Sequence, residues 1–195
     1  MVNAIHNFYD AMQKEGINID WYSIPELCIM LAIRNARHHN QSNRIRSIYN
    51  YHLQNLVEPT IKADYLLVDF PGKLVDGKRG GFFKFHISWD DIENFISLPR
   101  DQSRLRSGSR EMIRNYLNAD NFEMKSEDIP KERIFINVVP LIINAGIYLS
   151  PFIDNLIFPK STESKVFYRI FKEGNGALTV EHELIPAYFS FPPYE

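Results

Sequence analysis

Apolar side chains recur at helical spacing over the first third of the chain. Between residues 2 and 15, Ile5, Phe8, Tyr9 and Met12 fall at the i, i+3, i+4, i+7 positions of one face, and Gly16 supplies a stop. A second helix is announced by Ser23 and Glu26 in capping-box spacing, with Pro25 in the first turn, where its missing N–H costs nothing. Leu27, Met30, Leu31 and Arg34 share one face of it, and the pattern carries it to His38 or His39. A third helix fits residues 42 to 56, with Ile45, Ile48, Tyr49, His52, Leu53 and Leu56 on one side and Pro59 beyond its end.

The period then shortens. DYLLVDF and GGFFKFHISW are aromatic and β-branched runs joined by the glycine-rich PGKLVDGKRGG, which predicts a β-hairpin or small sheet. At alternating spacing Phe83 and Phe85 are expected to face a core. A helix from Trp89 or Asp90 to Leu98 follows, closed by Pro99. RDQSRLRSGSR has the composition of a mobile loop, and SREMIRNYLNA that of a helix capped by Ser109. Residues 130 to 149 predict a long buried helix started by Pro130. In the tail, KVFYRIF and ALTVEHEL read as strands flanking an E-G-N-G turn. With no repeat and no linker, these elements predict one α+β domain, mainly helical, with a helical part over residues 1–60 and a mixed part over 61–195. The β additions are small antiparallel hairpins in the middle and near the C-terminus.

Composition narrows the function classes. The 195 residues are 45% hydrophobic and 24% charged, the balance of a folded globular chain, and the net charge of −2 means that any nucleic acid must be held by a local basic patch. The lone Cys28 lies in an apolar run, which supports neither a disulfide framework nor a zinc cluster and suits a reducing cytoplasm. The N-terminus lacks the cationic and apolar regions of a signal peptide. IFINVVPLIINAGIYLSPFIDNLIF is broken by Asn137, Pro140, Asn144, Gly146, Pro151, Asp154 and Asn155, so it is expected to be a core helix and a turn rather than a membrane span.

The usual catalytic signatures are missing. There is no phosphate-cradling glycine loop, no H-E-x-x-H and no G-x-S-x-G, and Asp90-Asp91 sits where carboxylates favour a helix start. His86 and His182 are isolated in strand runs and read as structural. What remains is I-R-N-A-R-H-H-N at residues 33–40. At about 100° per residue Arg34 and His38 share a face, and Asn35 and His39 the next, so the four form one polar corner at the end of an apolar helix. A histidine can move a proton to or from a 2′-hydroxyl or a leaving oxygen, and an arginine fork stabilises charge building on a phosphate. Helix-end cations also cap carbonyls and favour the dipole, which is the competing explanation.

The spacing Arg34-Asn35-Ala36-Arg37-His38-His39 resembles the Rx4–6H signature of the HEPN superfamily, and the preceding ELCIMLAI resembles the helix that carries it. The resemblance covers residues 23–56. It implies a HEPN-like helical bundle and a metal-independent endoribonuclease of the kind found in toxin–antitoxin and anti-phage defence systems, with no cofactor. It implies a homodimer whose two motifs meet, RNA as substrate, and an antitoxin or defence-complex protein as a further partner. By the same resemblance Arg34 contacts the scissile phosphate, His39 is the general acid or base, with His38 able to replace or assist it, and Asn35 orients them. Arg37, Arg44 and Arg46 extend the cationic side of the cluster, so that Arg37, His38 and Arg44 are candidates to hold the substrate. Arg100, Arg104, Arg106, Arg110 and Arg114 form a second cationic segment able to hold phosphates. The alternative is a non-catalytic HEPN-like interaction subunit in which the same cations cap the helix.

Overall fold

A computed structural model describes residues 2–38, 45–54, 63–70, 74–75, 78–79, 84–126, 128–174 and 182–189. Helices α1 (Val2–Lys14) and α2 (Pro25–His38) follow the periodicity of their sequences, and Gly16 ends α1 at φ +71. The start of α2 differs from the expected capping box: the Ser23 hydroxyl donates to the Asp20 carbonyl at 2.8 Å, closing the preceding turn instead. Helix α3 is described only over Ile48–Gln54, so the flanks of the expected 42–56 helix lie outside the described residues.

The centre is a four-stranded mixed sheet in the order β4-β5-β1-β6, built from β1 (Ala63–Asp69), β4 (His86–Ser88), β5 (Ile134–Asn137) and β6 (Glu183–Phe189). β1 runs parallel to β5 with Leu67 opposite Phe135, and antiparallel to β6 with Leu67 opposite Ile185. β4 runs antiparallel to β5, with His86 opposite Asn137. The two mid-chain runs expected to form a hairpin are therefore not neighbours, because β5 separates them. The hairpin in that region is the short pair β2 (Leu74–Val75) and β3 (Lys78–Arg79) between them. Phe85 is half exposed rather than core-facing, and Phe82 and Phe83 lie outside the described residues.

Two further expectations are corrected. IFIN is strand β5 and not part of a helix: all four residues are buried, because it packs on both faces and carries no alternation to betray it. The helix begins only afterwards, α8 over Val139–Ile153, with Pro140 in its first turn and Pro130 instead leading a short 3-10 turn at Lys131–Arg133. KVFYRIF is helical, within α9 (Thr162–Glu173), and β6 does not pair with it. Ser161 caps α9 by accepting the Ser164 N–H at 3.1 Å, and Phe167 and Phe171 stack one turn apart along its apolar side.

Between the strands lie α4 (Trp89–Ile96), α5 (Arg100–Ser103), α6 (Ser109–Leu117) and α7 (Ala119–Lys125). The N-cap of α6 is Gly108 at φ +84, with Ser109 the first helical residue. One face of the sheet, Leu66, Val68, Ile87, Ile134 and Ile136, packs into the main core with α2, α4, α6, α7 and α8. The other, Tyr65, Leu67 and Phe135, is covered by Ile48 and Tyr51 of α3. Each fully buried aliphatic side chain adds roughly 1.5–3 kcal/mol. The fold is thus α+β and mainly helical. Val139–Leu156 has the length and apolar composition to cross a membrane, yet Leu141, Ala145, Leu149 and Ile153 of that stretch pack into the core.

Candidate functional site

Helix α2 is enclosed by the core on all sides over its first half: Leu27, Cys28, Ile29, Met30, Leu31 and Ala32 are all buried. Apolar burial along α2 breaks at Arg34, which is half-buried, and Asn35, which is 2% exposed. The Asn35 Nδ2 donates to the Ser103 carbonyl at 3.0 Å. Since a carbonyl can only accept, this bond fixes the amide orientation, and Oδ1 faces the other way. There it accepts from Arg34 Nη1 at 3.2 Å. Asn35 therefore joins the end of α2 to the last residue of α5 and holds the arginine's guanidinium at that junction.

That junction brings together the two cationic segments read from the sequence. Arg100 and Arg104 flank Ser103, are exposed, and have no ion pair among the described residues. Arg104 is held left-handed at φ +60, its N–H bonded to the Arg100 carbonyl, while its own carbonyl accepts the Tyr22 hydroxyl at 3.2 Å. Arg106 stacks over the Tyr22 ring at 4.6 Å and pairs with Asp20 at 2.8 Å. Burial, as the largest effect, raises the Tyr22 hydroxyl above its usual range, so that it stays a neutral donor. The segment expected to be a mobile loop is thus an ordered turn clamped to α2.

The other two arginines of the 100–114 segment are committed to structure. Arg110 pairs with Glu93, and Arg114 binds Glu93 at 3.0 Å, Glu123 at 2.8 Å and Asp120, tying α4, α6 and α7 together. Arg37 and His38 belong to the last turn of α2, but their side chains are outside what is described, and His39 and Arg44 lie outside the described residues. Of the expected catalytic set, Arg34 and Asn35 are adjacent and in contact. Asp91, read at the sequence level as a helix-start carboxylate, also takes Arg46 in a bidentate bond at 2.9 and 2.6 Å. Asp90 accepts from Asn94 Nδ2 at 3.0 Å.

A second polar group is absent from the motif reading. His86 Nε2 lies 2.9 Å from Asp69 Oδ1, and Lys84 binds the same carboxylate. Asp69 ends β1 and His86 begins β4, so their bond spans the end of β5. The pleat signals this: Asp69 and His86 share a face with Tyr65 and Phe135. Burial opposes ionisation of Asp69 most strongly, but the bonds from His86 and Lys84 outweigh it and hold the carboxyl below its usual range. His182 Nε2 bonds the Leu117 carbonyl at 2.6 Å between Phe70 and Phe122, and burial, as the largest effect, lowers the pKa of its imidazole below the usual histidine value. Among the described residues no three His, Cys, Asp or Glu side chains are grouped to hold a metal ion.

Set against known proteins, the chain matches no family model, no curated protein and no solved structure. The class of the protein therefore rests on its own geometry: an α+β fold with an arginine corner where α2 meets α5.

Proposed function

We propose that the chain is an endoribonuclease of HEPN type that uses Arg34, Asn35 and His39 to cleave RNA. The observation that supports this reading is the Asn35 bridge, which bonds the Arg34 guanidinium on one side and the Ser103 carbonyl, in the segment that carries the exposed Arg100 and Arg104, on the other. A guanidinium held by a buried amide is preorganised toward a phosphate, and stabilises charge on the phosphoryl oxygens without reorganising. His39 follows the last turn of α2 and takes the acid–base role. The neutral imidazole removes the proton of the 2′-hydroxyl, that oxygen attacks the adjacent phosphorus, and the 5′-oxygen leaves with a proton. The products are a 2′,3′-cyclic phosphate and a 5′-hydroxyl end. A second copy of the chain supplies the second histidine, so one histidine per chain suffices for the two proton transfers.

The test is incubation of the purified chain with single-stranded RNA in EDTA, followed by end-group analysis. Wild type is expected to release 2′,3′-cyclic ends, and Arg34→Ala and His39→Ala to lose at least about a hundredfold in rate, the scale of general acid–base and charge-stabilisation effects. Circular dichroism checks that both variants stay folded. Cleavage undiminished in the folded variants overturns the reading. Absence of cleavage by wild type favours a non-catalytic interaction subunit, in which Asn35, buried and bonded on both sides, serves only to lock α2 to α5.

A further inference from the structure

Six of the ten large apolar side chains exposed among the described residues fall between positions 148 and 167, on α8, α9 and the turn that joins them: Tyr148, Phe152, Leu156, Phe158, Val166 and Phe167. Exposed apolar residues scattered singly are normal, whereas a cluster of them marks a surface that another body covers. The two helices are left bare to match. Only 28% of the apolar stretch Val139–Leu156 is buried, and none of the twelve residues of α9 is. Helix α8 gives Leu141, Ala145, Leu149 and Ile153 to the core and its next edge to α9, where Gly146 faces the Phe171 ring and the Ser150 hydroxyl reaches the Phe171 carbonyl at 2.9 Å. The rings of Tyr148 and Phe152 stay outside that packing, one turn apart at 5.8 Å.

Cations flank this apolar surface. Lys160, Lys165 and Arg169 are exposed and make no ion pair among the described residues, while Lys172 is spent on Asp154 at 3.0 Å. Against these three free cations stand two acids, Glu163 and Glu173, so the hairpin is positive on a chain whose net charge is −2. At about 100° per residue Lys165 and Arg169 share one edge of α9, with Val166 next around the helix.

We propose that the α8–α9 hairpin docks on the surface of an anionic lipid bilayer. Phe152, Phe158 and Phe167 enter the boundary between headgroups and acyl chains, and Lys160, Lys165 and Arg169 lie on the headgroups. Exposed aromatic residues beside an edge of lysine and arginine are what holds a helix in the plane of a membrane interface, and helices bring no unsatisfied backbone into it. The contact is peripheral, because the core retains the buried face of α8. A second copy of this face fits less well: it brings the same excess of positive charge, and lysine is depleted from protein interfaces. The proposal needs no RNA, so it stands or falls apart from the ribonuclease reading.

Co-sedimentation of the full chain with large unilamellar vesicles tests it, comparing pure phosphatidylcholine with phosphatidylcholine carrying about 30% phosphatidylserine. Wild type is expected to bind the anionic vesicles at least about tenfold more tightly, and to lose that margin as salt rises from about 0.1 M to about 1 M. Lys160→Gln combined with Lys165→Gln should weaken binding to anionic vesicles by about tenfold or more and leave binding to neutral ones unchanged. Phe152→Ser combined with Phe158→Ser should weaken binding to both by at least about tenfold. These side chains are exposed, so the far-ultraviolet dichroism of both variants should match wild type. Wild type that sediments with neither vesicle overturns the proposal, as does a folded lysine variant that binds anionic vesicles as wild type does. A chain that ignores vesicles but forms a dimer broken by the two serine substitutions assigns the face to a second copy, which also overturns it. Should the serine variant not fold, the salt and lysine arms decide alone.

Discussion

Arg104 shows at a single residue how this surface trades stability for charge. A non-glycine residue at φ +60 costs about 1–2 kcal/mol, and the strain persists because the Tyr22 hydroxyl and the Arg100 carbonyl fix the turn. Glycine fits that backbone without strain but loses about 0.4–1 kcal/mol through a freer unfolded chain. Arg104→Gly is therefore expected to raise stability by about 0.5 kcal/mol in urea denaturation. If the arginine is retained for phosphate contact, the same variant binds single-stranded RNA more weakly, with a salt dependence shallower by about one counterion. A variant that is more stable and binds RNA as wild type does removes Arg104 from the interface. Neighbouring Asn35 was legible as a polar residue on a helix end, but not as a buried tie. Its partner is a main-chain carbonyl sixty-eight positions away, and nothing in the local spacing encodes that.

At the scale of elements, what the sequence revealed depended on whether periodicity survives burial. Helices α1, α4 and α6 carry one apolar stripe each, and α2 is marked by its turn residues and its apolar run, so all four were legible to within a few residues. β5 was not, since a strand buried on both faces is a short apolar run that merges with the apolar helix after it. α9 failed for the opposite reason: V-F-Y-R-I-F alternates well enough to imitate a strand, and its helical character comes from the Ser161 cap and from packing on α8. That packing depends on Gly146. A Cβ built there would stand 2.6–2.8 Å from the Phe171 ring, closer than side chains approach one another. Gly146→Ala improves helix propensity by about 1 kcal/mol yet forces α9 away, and overpacking costs about 1–3 kcal/mol. The expected outcome is a lower thermal midpoint, with faster amide exchange confined to α9. A midpoint equal to or above wild type means that Phe171 yields by rotating and that the close approach is not required.

Across the whole molecule, two carboxylates, the buried Asp69 and the half-buried Glu123, fasten elements far apart in sequence. Asp69 links the end of β1 to β4 through His86 and Lys84, and Glu123 links α7 to α4, α6 and the turn before β5. Burial works against ionisation of Glu123 more than any single other effect, but the bonds from Arg114, Trp89 and Lys131 together bring its carboxyl down from 4.5 to about 2. A group whose folded value lies below its unfolded value stabilises the fold above the unfolded value, and that stability is lost as pH falls through the folded one. For Glu123 the difference corresponds to about 2–3 kcal/mol at neutral pH, released between pH 4.5 and about 2. Asp69 acts in the same direction, its share present above the ordinary value of 3.8 and lost below it. Urea midpoints measured from pH 7 to pH 2 should therefore be flat near neutrality and drop steeply below pH 4.5. Asp69→Asn and Glu123→Gln should each start about 2 kcal/mol lower at pH 7, because removing one member of a partly buried pair strands the other. Both should lose less on acidification, having no proton to take up at that position. An acid limb as steep in both variants as in wild type would assign acid unfolding to carboxylates elsewhere and leave these two ties as neutral packing.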